Sequence, residues 1–148
     1  MSADDIRHAK EHWPFYWISR VNARYVQALE RRLKPLGIDV PNWRVLISLY
    51  EEDYLSISEI AELSTMRLNT TTKVVQRMIL DGLVTTRIRP TDGRVTEACL
   101  TEKGDRLRAL ALAEAKAIHD LSFADIDPEE RVALNRTLAR VFGQLSKL

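Results

Sequence analysis

Apolar residues recur along most of the chain at intervals of three and four, which is the spacing of one face of an α-helix. The first run extends from Pro14 to Lys34, and a proline suits the first turn of a helix because its missing N–H has no partner there. The Pro-Leu-Gly segment that follows predicts the end of this helix. A second helix is predicted to begin at Asp39 or Val40.

Two short helices are predicted next. Ser56 and Glu59 have the spacing of a capping box, in which each side chain accepts a hydrogen bond from the backbone N–H of the other residue. A brief polar turn, Ser64 to Arg67, leads into a helix that runs from Leu68 to Asp81. Gly82 follows, at the place where a helix end favours a left-handed residue.

The pattern then changes to that of a β-hairpin. β-branched and alternating residues from Leu83 to Arg89 and from Val95 to Leu100 predict two strands. Pro90, Thr91, Asp92 and Gly93 lie between them, and the Asp-Gly pair indicates a hairpin, since this pair favours the backbone angles of a tight turn.

Two further helices complete the pattern. Thr101 is a predicted cap for the first, and Asp127, Pro128 and Glu130 form a predicted start for the second. Apolar residues of the last helix then alternate at intervals of four and three, which predicts a heptad-like seam. The seam consists of Leu134, Leu138, Val141, Leu145 and Leu148.

The order of these elements predicts a mainly α-helical fold with a small β-hairpin wing, namely a winged helix-turn-helix. We expect an N-terminal helix over residues 1–38, a winged helix-turn-helix lobe over residues 39–101 and C-terminal helices over residues 102–148.

The charged residues are unevenly distributed along the sequence. The chain of 148 residues carries a formal net charge of +1, but between Thr65 and Arg94 it has six basic residues and two acidic ones. This segment is expected to bind a polyanion, although a solvated charged face would have the same composition. The single cysteine, the charged N-terminus and the lack of a long apolar run favour a cytoplasmic protein.

The helix from Leu68 begins with short polar side chains, which make a poor core but approach a DNA groove closely. An arginine at the hairpin tip fits a narrow minor groove, where the negative potential is strong. The predicted DNA-binding residues are Asn69, Thr70, Thr71, Thr72, Lys73, Gln76 and Arg77 on the helix, and Arg87, Arg89 and Arg94 on the hairpin. An ordinary amphipathic surface helix and a solubilising hairpin tip are the alternatives.

The segment from Gly37 to Gly104 resembles the MarR family of bacterial transcriptional regulators. The resemblance rests on "PNWRVLISL", on "DGLV" at residues 81–84, on Arg87, on the Asp-Gly-Arg tip, and on "LTEKG" at residues 100–104. It implies a homodimer on double-stranded DNA, in which the first helix and the last two helices of both chains interlock. The resemblance thus assigns an N-terminal dimerisation helix to residues 1–38, the DNA-binding lobe to residues 39–101 and the C-terminal dimerisation helices to residues 102–148, so that the winged helix-turn-helix has a helical dimerisation region. It also assigns the wing-tip contact to Arg94, whereas Gly93 stands where the family often has a second basic residue.

Many members of that family release DNA on binding small aromatic or phenolic molecules in a pocket between the dimerisation helices and the DNA-binding lobe. Six of the ten aromatic side chains of this chain fall between Trp13 and Trp43. The predicted effector-binding residues are His12, Trp13, Phe15, Tyr16, Trp17, Arg20, Trp43 and Arg44. Aromatic rings suit a planar ligand and arginines suit its carboxylate, but aromatic residues at helical spacing also form cores and dimer interfaces.

Other chemistry has little support. The three histidines are far apart in sequence and paired cysteines are lacking, so no metal or other cofactor is expected. Neither a nucleophile elbow nor a glycine-rich phosphate loop is present, so an enzyme is not expected. Cys99 lies in a predicted strand without an activating neighbour, which disfavours redox sensing.

The sequence therefore predicts a sequence-specific regulator, and specifically a repressor released by a small aromatic or phenolic effector. The alternative is a ligand-independent architectural protein that binds DNA with low sequence specificity. A preference for one operator over random DNA by about 10³ or more would distinguish the regulator from the architectural protein.

Overall fold

The computed structural model describes residues 2–3 and 10–148, and the chain divides into two compact units, Met1–Ala115 and Lys116–Leu148. Residues 4–9 of the predicted N-terminal segment lie outside the described part. The long helices of the described part are α1 (Pro14–Leu33), α2 (Val40–Glu51), α3 (Ile57–Ser64), α4 (Leu68–Leu80), α5 (Glu102–Ser122) and α6 (Pro128–Leu145). Its strands are β1 (Leu55–Ser56), β2 (Val84–Arg89) and β3 (Asp92–Leu100).

This order of helices and strands confirms the predicted fold class, a mainly α-helical winged helix-turn-helix. Two short 3₁₀ turns, Lys10–His12 and Lys34–Leu36, flank α1. Among the residues that the structure describes, no helix is apolar over a length that would cross a lipid bilayer.

Prolines and short-range hydrogen bonds start the first helices where the sequence predicts. α1 begins at Pro14. At the start of α2, the Asp39 carboxylate accepts a bond from the backbone N–H of Asn42 at 2.9 Å, and the Asn42 side-chain oxygen accepts one from the backbone N–H of Asp39 at 3.3 Å. Ser56 and Glu59 form the predicted capping box at the start of α3. These contacts are local in sequence, so the residue pattern suffices to predict them.

The predicted start of α6 is correct in position and in its proline, but the predicted side-chain cap is wrong. The helix begins at Pro128 after Asp127, but the Asp127 side chain makes no capping hydrogen bond. The proline sets the backbone angle of the first turn, and Glu129 and Glu130 interact favourably with the helix dipole there. These two effects favour the helix start without a side-chain cap.

Helix α3 ends at a left-handed residue that the sequence does not predict. Thr65 has a φ of 54°, and the backbone N–H of Met66 donates across the turn to the Ala61 carbonyl at 3.0 Å. Glycine is the usual residue here, because a β-branched side chain is strained in the left-handed region. Gly82, which follows α4, has a φ of 73° and occupies the left-handed position that the sequence predicts.

The helix-turn-helix and the sheet enclose one apolar core. Its buried residues are Val45, Leu46, Leu49, Leu55, Ile60, Val75, Met78, Leu83, Val84 and Ala98. They come from α2, α3, α4 and all three strands, so their burial fixes these elements against one another.

The sheet contains a strand that the sequence analysis missed. The strand order is β1-β3-β2, and all neighbours are antiparallel. β1 has only two residues, Leu55 and Ser56, which pair with Ala98 and Glu97 of β3. Two residues are too few to display the alternation by which a strand is recognised.

The hairpin turn lies at Pro90-Thr91, the first half of the predicted four-residue connection, and the prediction that Asp92 and Gly93 belong to the connection is wrong. Arg89 pairs with Asp92 across this turn, and Asp92 and Gly93 are the first residues of β3. Proline has a fixed φ that suits the second position of a tight turn, and its missing N–H cannot continue a strand ladder. Pro90 therefore determines where β2 ends.

Backbone contacts join the end of α4 to the start of α5. The Thr101 hydroxyl donates to the Gly82 carbonyl at 2.6 Å and accepts from the backbone N–H of Gly104 at 3.0 Å, as predicted for a cap. The Leu83 carbonyl accepts from the backbone N–H of Thr101 at 3.0 Å. The Lys103 ammonium donates to the Asp81 carbonyl at 2.9 Å. These bonds hold α5 against the loop that precedes the hairpin.

Two helices expose apolar side chains at helical spacing in the single chain. These are Phe15, Ile18, Val21 and Tyr25 on α1, and Val132, Leu134, Leu138, Phe142 and Leu145 on α6. The predicted seam thus lies largely on an exposed face, with Val141 half-buried. Clustered apolar side chains on a surface are typical of a protein interface.

We predict that Gly104→Ala destabilises the chain by about 1–3 kcal/mol, the usual cost of forcing a group into a packed position. A Cβ at Gly104 would collide with the carbonyl oxygen of Leu83 and would lie 3.0 Å from its carbonyl carbon. The midpoint of urea unfolding measures the loss.

Gly143→Ala is the matched control, because a Cβ at this position in α6 meets no atom within 4 Å. Alanine favours a helix over glycine, so we expect no loss of stability and a gain of up to about 1 kcal/mol. Equal stability of the Gly104→Ala and Gly143→Ala proteins would contradict the close approach of α5 to Leu83.

Candidate nucleic-acid interface

Helix α4 buries one face and exposes the opposite one. Thr71, Val75 and Met78, spaced four and three residues apart, are buried against the core. Of the other apolar residues of the helix, Val74 is half-buried and Ile79 is exposed. The outer face consists of Asn69, Thr70, Lys73, Gln76 and Arg77, all of them exposed.

The polar residues at the start of α4 differ in how far they are buried. Thr71 has no exposed surface, and its hydroxyl donates to the Arg67 carbonyl at 2.8 Å. Thr72 is half-buried, and its hydroxyl donates to the Leu68 carbonyl at 3.0 Å. Thr71 was a predicted DNA contact, but its burial removes it from the accessible surface. Thr71 lies one helical turn before Val75 and therefore on the same buried face. The polar residues around it in the sequence gave no sign of this core position.

The longer side chains of the outer face extend into solvent. The Arg77 Nε atom lies 3.5 Å from a carboxylate oxygen of Asp81. Because the Arg77 side chain is 74% exposed, this ion pair leaves the guanidinium accessible. Lys73 and Gln76 are exposed on the same face. Ammonium, guanidinium and amide groups therefore project together from one surface of α4.

The hairpin tip exposes Arg94 through an irregularity in the ladder. The pairs Ile88–Thr96 and Arg89–Asp92 are consecutive on β2, but on β3 residues 93–95 lie between them. Such a bulge turns side chains out of the sheet, and the Arg94 side chain is 90% exposed.

Asp92 orients the Arg94 side chain. Its carboxylate accepts bonds from the Arg94 guanidinium at 3.1 and 3.2 Å and from the Arg94 backbone N–H at 3.1 Å. The guanidinium and the backbone N–H together lower the pKa of Asp92 below its ordinary value of 3.8. The carboxylate is therefore charged at neutral pH and holds the arginine in a defined direction.

The side chains of Arg87 and Arg89 pair with carboxylates away from the tip, although Arg89 itself is next to the turn. Their side chains meet the carboxylate of Glu97, whose side chain is only 6% exposed, at 3.2 and 2.9 Å. Arg89 also donates to Glu59 of α3. Sequence reasoning missed Glu97, because its importance comes from cross-strand pairing with Arg87 rather than from any local pattern.

A cavity of about 200 Å³ lies between α1, α2 and α3. Its lining includes Tyr25, Trp43, Arg44 and the hydroxyls of Ser48 and Ser64. The two hydroxyls lie 3.1 Å apart, and both also reach the Arg44 carbonyl, at 2.8 and 3.3 Å. The cavity thus combines aromatic walls, a guanidinium and a small polar patch.

Of the predicted effector-binding residues, the structure places only Trp43 and Arg44 in this cavity. The others, His12, Trp13, Phe15, Tyr16, Trp17 and Arg20, belong to the first turns of α1 and the segment before it. There Trp17 donates from its indole N–H to the Glu11 carbonyl at 2.8 Å, and its ring meets Tyr16 edge-on. These aromatic residues pack locally. Among the described residues, no group of three potential ligands is arranged to hold a metal ion.

Comparisons with known proteins agree with this geometry. The MarR family model matches residues 38–96. The HTH-type transcriptional repressor IacR of Pseudomonas putida is 42% identical over 147 residues, which are 99% of this chain and 87% of that protein. The chain belongs to the MarR family.

Solved structures of transcriptional regulators share the fold. A MarR-family regulator from Silicibacter pomeroyi is 24% identical with a TM-score of 0.86, and the match covers 97% of this chain and 95% of that one. CouR from Rhodococcus jostii RHA1, solved with bound p-coumaroyl-CoA, is 25% identical with a TM-score of 0.83, covering 90% of this chain and 94% of CouR. Regulators of the MarR family bind DNA and act as dimers.

We predict that Glu59 contributes to stability above its ordinary pKa and progressively less in acid. Hydrogen bonds from Ser56, together with the Arg89 guanidinium, lower the pKa of Glu59 below 4.5 in the folded chain. The contribution is therefore complete above 4.5 and is lost as the pH falls through the lower folded value. The urea midpoints of the unmodified and Glu59→Gln proteins should differ most at about pH 6, and the difference should shrink as the pH falls below 4.5.

Glu62→Gln is the control, because Glu62 is exposed on the same helix and lies outside the capping box. A difference between the unmodified and Glu59→Gln proteins that stayed constant across this pH range would contradict the role of the Glu59 charge.

Proposed function

We propose that the chain is a homodimeric transcriptional repressor, rather than an enzyme, that binds a near-palindromic operator and releases it on binding a small aromatic acid. The observation that carries the proposal is the exposed polar and cationic face of α4 in a winged helix-turn-helix. A 42% identical relative is a transcriptional repressor, which supports the same output here.

The proposed DNA contacts are divided between α4 and the wing. In a helix-turn-helix the second helix enters the major groove, and its first turns reach base edges. Gln76 has the amide geometry to pair with adenine, and Arg77 suits guanine or a phosphate. Lys73 is placed for a phosphate contact, and Arg94 extends from the tip toward the minor groove.

The proposed dimer uses the apolar faces of α1 and α6. The single chain leaves Val21 63% and Phe142 68% exposed, and such side chains favour burial against a second copy. In this proposal each predicted segment has one role: residues 1–38 and 102–148 form the dimer interface, and residues 39–101 bind DNA. Two-fold symmetry then requires two half-sites about 10 bp apart, one on each recognition helix.

The proposed effector is a compact aromatic carboxylate in the cavity beside Trp43. Arg44 would pair with the carboxylate, Trp43 and Tyr25 would contact the ring, and the Ser48 and Ser64 hydroxyls would take the remaining polar atoms. The volume of about 200 Å³ favours a ligand of one or two rings. CouR, whose structure is similar to that of this chain, was solved with bound p-coumaroyl-CoA.

Selection of bound sequences from random DNA duplexes tests the function. We expect a near-palindromic motif at physiological salt and a preference over random DNA of about 10³ or more. On the selected operator, Arg94→Ala should weaken binding and reduce the slope of log affinity against log salt by about 0.9 per chain, because one phosphate-region cation is lost.

Arg24→Ala removes an exposed arginine from α1 and serves as the charge-matched control. Strong binding without a selected motif would favour the architectural alternative. A lack of binding in the presence and absence of aromatic acids would overturn the proposal.

We predict that an aromatic acid quenches tryptophan fluorescence through Trp43. In a Trp13→Phe, Trp17→Phe protein, Trp43 is the only remaining tryptophan. We expect benzoate, phenylacetate or p-coumarate to quench it and to weaken operator binding by about 5- to 150-fold, the usual range of allosteric coupling. Titration by fluorescence and by operator binding measures both effects.

Benzamide, which lacks the carboxylate, is the matched ligand control, and Arg44→Gln is the matched protein control. Quenching that disappears with Trp13 and Trp17 would move the site to the start of α1. Quenching by benzamide equal to that by benzoate would contradict the pairing with Arg44.

A further inference from the structure

Glu97 is a charged residue buried in the middle of the small sheet. It belongs to the central strand β3, where it pairs with Ser56 of β1 on one side and with Arg87 of β2 on the other. Only 6% of its side-chain surface is exposed. A buried carboxylate is unfavourable unless charged partners satisfy it.

Two arginines satisfy it, one on each oxygen. Arg87 donates from Nε to one oxygen at 3.2 Å, and Arg89 donates from Nε to the other at 2.9 Å. The Arg87 guanidinium also lies 3.2 Å from the ring centre of Tyr54, which limits its movement further. Both guanidinium groups are therefore directed inward to Glu97.

The same network reaches the helix-turn-helix. Arg89 donates through a second nitrogen to Glu59 of α3, whose carboxylate also accepts from the backbone N–H of Ser56 at 2.9 Å. Glu59 thus caps α3 and binds the wing with one side chain. The chain of contacts from Glu97 through Arg89 to Glu59 joins the hairpin to the first helix of the helix-turn-helix.

The charges within this network balance. Arg87 and Arg89 face Glu97 and Glu59, two cations against two anions. The tip is different, because Arg94 is 90% exposed and pairs only with Asp92 among the described residues. Of the three wing arginines that sequence analysis assigned to DNA, Arg87 and Arg89 are paired with Glu97 and have side chains 40% and 28% exposed, whereas the Arg94 side chain is 90% exposed.

We propose that Glu97 is a positioning residue that sets the orientation of the wing and keeps Arg87 and Arg89 away from DNA phosphates. This inference rests on the proposed DNA-binding function. The arrangement reduces sequence-independent attraction, which depends on free cations, and fixes the tip arginine relative to α4. Glu97 therefore raises the specificity of binding rather than its strength.

Glu97→Gln tests the proposal by removing the charge that pairs with Arg87 and one of the two carboxylates that pair with Arg89. We expect the slope of log affinity against log salt to become steeper by about 0.9 per chain through Arg87, and by up to about 2 when Arg89 also leaves Glu59. We also expect the preference for the selected operator over random DNA to fall by about tenfold, an effect similar to one mismatched base pair. A purely structural role would lower the amount of folded protein and leave the salt slope unchanged.

Glu114→Gln is the matched control. Glu114 pairs with Arg32 at 3.2 Å between α5 and α1, so the change has the same chemistry and charge outside the wing. Its salt slope and operator preference should equal those of the unmodified protein. Circular dichroism and thermal unfolding establish that each variant is folded.

Arg87→Gln and Arg89→Gln keep the proposal testable if Glu97→Gln does not fold. An arginine that makes no phosphate contact leaves the salt slope unchanged when it is replaced, whereas Arg94→Ala lowers the slope in the same assay. A decrease of about 0.9 for Arg87→Gln or Arg89→Gln would overturn the proposal. Failure of the unmodified protein to bind any duplex would instead contradict the proposed function, so the two failures are distinct.

Discussion

The need of α4 to bury one face determines the arrangement of the proposed interface. Thr71, Val75 and Met78 pack into the core, and this packing fixes the rotation of the helix about its axis. A helix turned by one residue, about 100°, would bury part of the outer face and expose core side chains. Lys73 and Gln76 are exposed because the core side chains admit no other rotation. The interface is thus a consequence of apolar burial on the opposite side.

Much of the fold could be predicted because its boundaries depend on contacts that are close in sequence. The capping box of Ser56 and Glu59 spans three residues, and Gly82 terminates α4 through its own backbone angles. Pro14 and Pro128 start helices through a fixed φ. Contacts of this kind can be predicted from the order of residues alone. They were sufficient to place the helix-turn-helix, including α4, in the sequence.

The remaining features depend on partners distant in sequence. Glu97 becomes the centre of an ionic network only when β3 lies between β1 and β2, and a glutamate at that position has no distinctive local pattern. The cavity joins Tyr25 and Trp43 from different helices, so its position could not be read from the aromatic residues that are close together in sequence. Even Thr71, in a helix that was predicted correctly, required the core to be known before its burial was evident.

Thr65 has a mechanical consequence. A threonine has only a small allowed region at positive φ, so the backbone at Thr65 has few alternative conformations. Leu63 and Ser64, the two residues before this turn, line the cavity. A ligand in the proposed effector site would therefore contact the end of α3 directly before a turn with little backbone freedom. A glycine at this position would give the same turn more conformations.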